Sequence, residues 1–200
     1  KMLRDDRRIT LKELYYFVEW RPIFWAPAVK WLIGDPKRFS GKRVLEIGCR
    51  SGRMSCLFGL LGAEVTGVEL PNVSLAMARK EVERWNLVDR VTLVNYSGNP
   101  ADIPGYEYDF IFTKSVLVVI PYLESFVREV SKKMKSGGEF IAAENLKGGY
   151  MLRLVRYLLH PKWQRRYGVD SHFIDVFNRV FKDVQVRRYW GLVAAIRARK

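Results

Sequence analysis

The stretch Val44-Leu-Glu-Ile-Gly-Cys-Arg-Ser-Gly-Arg-Met-Ser55 decides the fold. A short apolar run carries a carboxylate at Glu46, Gly48 allows a sharp turn, a loop of small residues follows, and a helical pattern starts near Met54. This order describes a buried strand that feeds through a tight loop into a helix. In an open α/β sheet, the crevice beyond such strand ends is where ligands bind. Two ligand loops are excluded. A dinucleotide fingerprint needs glycine at the first, third and sixth loop positions, which here are Gly48, Arg50 and Arg53. A Walker loop needs Gly-Lys-Ser/Thr ahead of its helix, and the sequence has none.

Outward from this stretch, β-rich runs alternate with helical patterns. After the strand at 44–47, the spacing predicts a helix over 54–61, a strand over 63–70, and an amphipathic helix over 72–85 with Leu75, Ala76, Val82 and Trp85 turned inward. Strands are expected at 91–95 and 108–113, a helix at 122–134, and a fifth strand at 139–143 after the turn Lys135-Ser-Gly-Gly. Such alternation calls for a parallel sheet covered on both faces. Right-handed crossovers make it doubly wound. Helices are then expected at 149–160 and 170–181, on either side of a basic aromatic loop, and two closing strands meet at Trp190-Gly191. The expectation is an α/β fold with a seven-stranded, mostly parallel sheet, helices on both faces and a closing antiparallel hairpin. Tyr15, Tyr16, Phe17, Trp20, Phe24, Trp25 and Trp31, broken by Pro22, Pro27 and Pro36, form an N-terminal helical aromatic cap. One domain results: a cap (1–40), a core (41–146), a basic acceptor or lid segment (147–181) and closing strands (182–200).

The 200 residues suit one hydrophobic core. With 48% hydrophobic and 28% charged residues, and no apolar run near the ~18 needed to cross a bilayer, disorder and a spanning helix are excluded. Cys49 and Cys56 can build neither a disulfide framework nor a four-cysteine zinc site, so no metal is expected. With no apolar stretch behind the opening Lys-Met-Leu-Arg-Asp-Asp, a cytoplasmic location is expected.

The 35 Lys and Arg against 21 Asp and Glu give a net charge of +14. The excess is +4 over residues 1–40, zero over 41–146 and +10 over 147–200. A neutral middle with basic ends points to an anionic partner met at the termini: nucleic acid, a membrane surface or an acidic small molecule. The segment 151–160 spaces Arg153, Arg156 and His160 helically, opposite Leu152, Val155 and Leu159. It reads either as a lid or as a piece that lies on an anionic membrane or grips phosphates.

Glu46, Gly48 and Gly52 resemble the first motif of class I S-adenosylmethionine-dependent methyltransferases. Val65-Thr-Gly-Val-Glu-Leu-Pro, Val91-Thr-Leu-Val-Asn-Tyr-Ser-Gly-Asn, Tyr108-Asp-Phe-Ile-Phe-Thr-Lys-Ser-Val-Leu and Met134-Lys-Ser-Gly-Gly-Glu-Phe-Ile resemble its later motifs, in order, over about 41–146. The resemblance implies a Rossmann-like transferase with S-adenosyl-L-methionine as cofactor. It assigns cofactor binding to Glu46, Gly48, Gly52, Glu69, Leu70, Ser97, Gly98, Asn99 and Lys114. Glu69 would accept from the ribose hydroxyls, Glu46 would serve the methionine end directly or by bracing the loop, and Ser97, Gly98 and Asn99 would lie beside adenine. Ser97 stands where the family often has an acid, and Arg50 where it usually has glycine. Each residue also has a plainer reading: loop bracing for Glu46, a solvated strand end for Glu69 and Lys114, and ordinary turns for the glycines.

For catalysis, His172 suits a base because imidazole titrates near neutrality, and Glu144, at the end of the fifth strand, could orient an acceptor or merely cap that strand. The lack of an Asp/Asn-Pro-Pro-Tyr/Phe sequence argues against exocyclic amines of bases. The expected function is in-line methyl transfer to a small-molecule or glycan-like acceptor at oxygen. Two alternatives stand beside it: an RNA methyltransferase that uses the basic C-terminal segment, and a non-catalytic, membrane-associated or partner-binding domain on the same scaffold.

Overall fold

Arg43–Ile47 (β1) lies in the interior of the sheet because both of its faces are apolar: Val44 packs into one core cluster, and Leu45 and Ile47 into the other. The computed structural model describes residues 10–19, 21–147 and 169–200. Around β1 lie Glu64–Glu69 (β2), Val91–Asn95 (β3), Tyr108–Lys114 (β4), Met134–Asn145 (β5), Asp183–Tyr189 (β6) and Val193–Arg199 (β7). Their order is β3-β2-β1-β4-β5-β7-β6, with β1 to β5 parallel and β7 antiparallel to both of its neighbours. The seven-stranded, doubly wound sheet with its closing hairpin is therefore as expected.

Period-two alternation divides the sheet between two cores. Phe110, Phe112, Ile141 and Ala195 face the cluster shared with the N-terminal helices Leu11–Val18 (α1) and Pro22–Ile33 (α2) and with Arg53–Leu60 (α3). Ile111, Phe140, Ala142 and Ile196 face the cluster of Leu123–Lys132 (α5) and Ser171–Val180 (α6). The aromatic cap is thus core rather than arm, with Phe17 and Trp25 buried and the Phe17 ring 5.6 Å from that of Trp85.

Two boundaries differ from expectation for identifiable reasons. The helix expected from 72 begins at Ala76 (α4, Ala76–Arg84), because Asn95 Nδ2 donates to the carbonyls of Leu70 (2.9 Å) and Val73 (3.2 Å) and holds that segment as a loop. β5 starts at Met134 rather than 139. Met134 already pairs with Tyr108, the register shifts, and pairing resumes at Phe110 with Glu139, so the expected turn is an irregularity inside the strand. The expected helix at 149–160 and the basic loop after it lie outside the described residues. Among the described residues, no helix is long and apolar enough to cross a membrane.

Candidate active site

The chain leaves β1 on one side toward β2 and β3 and returns on the other at β4, so the carboxyl ends of β1 and β4 form a topological switch point, where open α/β sheets hold ligands. The loop after β1 is built from left-handed backbone. Gly48 has φ 79°, Arg50 φ 46° and Gly52 φ 75°. A side chain at Gly48 would put its Cβ 2.4 Å from Val116 Cγ2, and one at Gly52 would put it 2.9 Å from Ala78 Cβ. Both glycines therefore serve close approach as well as conformation. Arg50 adopts the same region without that freedom, at a cost of about 1–2 kcal/mol.

Glu69, nearly buried at the end of β2, meets this loop. One carboxylate oxygen accepts from the Arg50 amide at 2.9 Å and the other from the Leu70 amide at 2.9 Å. A carboxylate offers about four lone-pair positions, so about two are left for hydroxyl donors. Leu70 follows at the rim, and its Cδ2 is 3.3 Å from where a Cβ on Gly98 would stand. That contact brings the 97–99 loop beside Glu69. Ser97 hydrogen-bonds Asp102 and accepts from the Asn99 amide at 3.1 Å, while Asn99 caps the next turn through Ala101 N. A carboxylate thus lies beside Ser97 after all, five residues along the chain.

Glu46 is buried beneath the loop and hydrogen-bonded by the Ser55 hydroxyl. Burial pushes its carboxyl up to about 8, against the opposing effects of Ser55 and the Lys114 ammonium. Gly67, its partner on β2, lacks the Cβ that would stand 2.8 Å from Ser55 Oγ. Glu46 thus braces α3 to β1 from within. Lys114, at the end of β4, is drawn toward the N-terminal helices: its ammonium donates to the Val18 carbonyl at 3.2 Å and lies 5.3 Å from the centre of the Trp25 ring. Burial lowers its pKa, and Glu19 and Glu46 oppose that shift.

Glu144 is fully buried, and burial pushes it up to about 7. Its oxygens accept from the Val116 amide (3.2 Å), the Leu117 amide (3.2 Å), the Val118 amide (3.5 Å) and the Thr113 hydroxyl (3.1 Å). It fixes the loop that packs on Gly48. His172 lies elsewhere, exposed in the first turn of α6, on the wall of a cleft of about 450 Å³ with Leu117, Ile120, Tyr122, Asp170 and Phe173.

Glu46, Gly48, Gly52, Glu69, Leu70, Ser97, Gly98 and Asn99 therefore gather around the ends of β1, β2 and β3, with Lys114 at the adjoining β4. His172 is apart from them, and Glu144 lies beneath. Ser55, Gly67, Asn95, Asp102 and Val116 were not singled out by the sequence, because each acts through a contact that crosses the fold. The acceptor set suits S-adenosylmethionine: an acid with free lone pairs for ribose hydroxyls, and a second acid for the adenine side.

A doubly wound sheet of this strand order, with an acid closing β2 beside a left-handed glycine loop at the switch point, is the architecture of the class I S-adenosylmethionine-dependent methyltransferases. Residues 45–142 match the family model described as a methyltransferase domain, and the domain that they form belongs to that class. Similar curated proteins include a ubiquinone biosynthesis O-methyltransferase of Bordetella pertussis, 33% identical over 113 residues, covering 54% of this chain and 44% of that protein. A phosphatidylethanolamine N-methyltransferase of Cereibacter sphaeroides is 31% identical over 101 residues, covering 50% of this chain and 49% of that protein. The chain thus spans about half the length of these relatives. Magnesium protoporphyrin IX methyltransferase of Synechocystis PCC 6803, solved with bound SAH, shares the fold at a TM-score of 0.69 and 14% identity, covering 98% of this chain and 90% of that one.

Proposed function

We propose that the protein transfers a methyl group from S-adenosylmethionine to an oxygen of a small, largely apolar acceptor. The placement of the Glu69 carboxylate, at the end of β2 against the left-handed loop, carries the reading. The cofactor supplies a methyl group on a sulfonium, whose displacement leaves a neutral thioether. The protein's work is to orient: Glu69 takes the ribose, the Gly48–Gly52 loop takes the methionine end, and Asp102 offers an acceptor for the adenine amine. In-line placement of the acceptor then supplies much of the rate.

The cleft between the loop after β4 and α6 supports an acceptor with an apolar body and a polar end, since Leu117, Val118, Ile120 and Phe173 face it together with Glu124, Ser125, Asp170 and His172. Oxygen as the methylated atom is supported by the names of several relatives. His172, on the cleft wall, is the candidate to take the hydroxyl proton. Glu144 is not, because its oxygens already accept three amides and a hydroxyl. Calorimetry with S-adenosylmethionine, followed by transfer of labelled methyl to a panel of phenols, RNA and phosphatidylethanolamine vesicles, tests this. Failure to bind the cofactor overturns the enzyme reading. Methylation of RNA or of the lipid amine, with phenols untouched, overturns the acceptor.

A further inference from the structure

The large apolar side chains that the fold leaves in solvent are unevenly placed. Ile23 in the first turn of α2, Leu70 after β2, Met77 in the first turn of α4, Val119 and Tyr122 after β4, and Trp190 at the β6–β7 turn are 41% to 78% exposed. All six lie at the carboxyl edge of the sheet. The loops after β2 and β4 emerge there, the N-terminus of α4 starts there, and α2 begins beside Lys114, which holds Val18 and Trp25. Trp190 reaches the same edge because Val193, just after the turn, pairs with Asn145 at the end of β5. Of the other four exposed large apolar side chains among the described residues, Val88 and Tyr106 lie at the opposite edge, and Leu11 and Tyr15 lie on α1 and are the least exposed, at 37% and 39%.

From β2 to β6 is five strand spacings, about 24 Å at ~4.8 Å each. A row of that breadth exceeds the reach of one small acceptor. Scattered exposed apolar residues are normal, but a gathering of them along one edge points to an interaction surface. Its charge selects the partner. Arg50 and Arg188 are exposed at the same edge, and the chain between Lys147 and Val169, whose two ends meet there in a Leu146–Val169 bridge, holds five Lys and Arg and no acid. Apolar and aromatic side chains among cations suit the headgroup and acyl boundary of an anionic bilayer.

We propose that the carboxyl edge of the sheet docks on an anionic membrane surface, so that the cofactor crevice and the cleft beside α6 open toward lipid. This deepens the reading above and rests on it only for what the membrane would deliver, an apolar acceptor.

Cosedimentation of the full chain with vesicles of phosphatidylcholine alone, and of phosphatidylcholine with phosphatidylglycerol, tests the proposal. Binding is expected to the anionic vesicles and to fall with salt. The pair Ile23→Ser/Trp190→Ser is expected to weaken it by about tenfold or more, while Val88→Ser/Tyr106→Ser at the opposite edge leaves it unchanged. Arg188→Glu is expected to weaken it by about fivefold or more. No binding to anionic vesicles, equal losses from the two pairs, or retention of RNA without retention of vesicles each overturns the proposal. Calorimetry of S-adenosylmethionine on the same preparations separates the two readings: loss of cofactor binding alone overturns the enzyme, and loss of vesicle binding alone overturns the docking surface.

Discussion

The Arg50 amide donates to the Glu69 carboxylate at 2.9 Å, tying a strained loop residue after β1 to the last residue of β2. One side chain thus shapes the loop after β1 and, in the proposed function, presents the lone pairs that a ribose would need. Glu69→Ala should lower S-adenosylmethionine affinity by about a hundredfold, the loss of about two charge-assisted hydrogen bonds at ~1.5 kcal/mol each, and should loosen the loop. Calorimetry reads the first effect, and amide exchange at residues 48–52 the second.

Arg50 sits in the left-handed region, where its side chain is a burden. Arg50→Gly should raise unfolding stability by roughly 0.5–1 kcal/mol, the released strain less the entropy that glycine adds. Denaturant titration measures it, and a variant less stable than the parent would show that the arginine side chain contributes more than its strain costs.

Gly48 and Val116 close the switch point. A methyl at Gly48 would meet Val116 Cγ2 at 2.4 Å, and Val116 is pinned from below through its amide on Glu144. Gly48→Ala should destabilise the fold by about 2–4 kcal/mol from overpacking and positive φ together. Adding Val116→Ala should restore only the packing share. Glu144→Ala, which strands three amides without an acceptor, two of them buried, should cost about 3 kcal/mol or more.

The buried acids give the stability a sloped dependence on pH. Glu46 is raised to about 8 and Glu144 to about 7, above the 4.5 of an open chain, so the folded state holds protons that the unfolded state releases. Their contribution is complete below pH 4.5, is lost as pH rises, and levels off once pH passes the folded value of Glu46, about 8. Glu46→Gln, which still accepts from Ser55, should therefore be more stable than the parent at pH 8.5 by about 2–4 kcal/mol and little different at pH 4.5. Thermal unfolding across that range checks it, and a parallel pair of curves would exclude the effect.

The alternation of strands and helices, the glycine loop and the acids at 46 and 69 were all legible in the sequence, because each is a local pattern: a period, a turn or a strand-end charge. So were the two closing strands on either side of Trp190-Gly191. The late start of α4 was not, because it depends on Asn95 reaching across from β3 to the carbonyls of Leu70 and Val73. Nor was the early start of β5, which depends on Tyr108 accepting Met134 as its partner.

By itself, the sequence determined the class of fold and the glycine loop after β1, since backbone conformation and burial periodicity are written in consecutive residues. Tertiary structure decided what each acid does. Glu46 and Glu144 turned inward to hold α3 and the loop after β4, while Glu69 turned to the amide of Arg50 in the loop after β1 and Asp102 came beside Ser97. It also gathered six of the exposed large apolar side chains on one edge, although they are scattered from Ile23 to Trp190 along the chain. Which groups meet across strands depends on register and crossover, and residue spacing does not encode either.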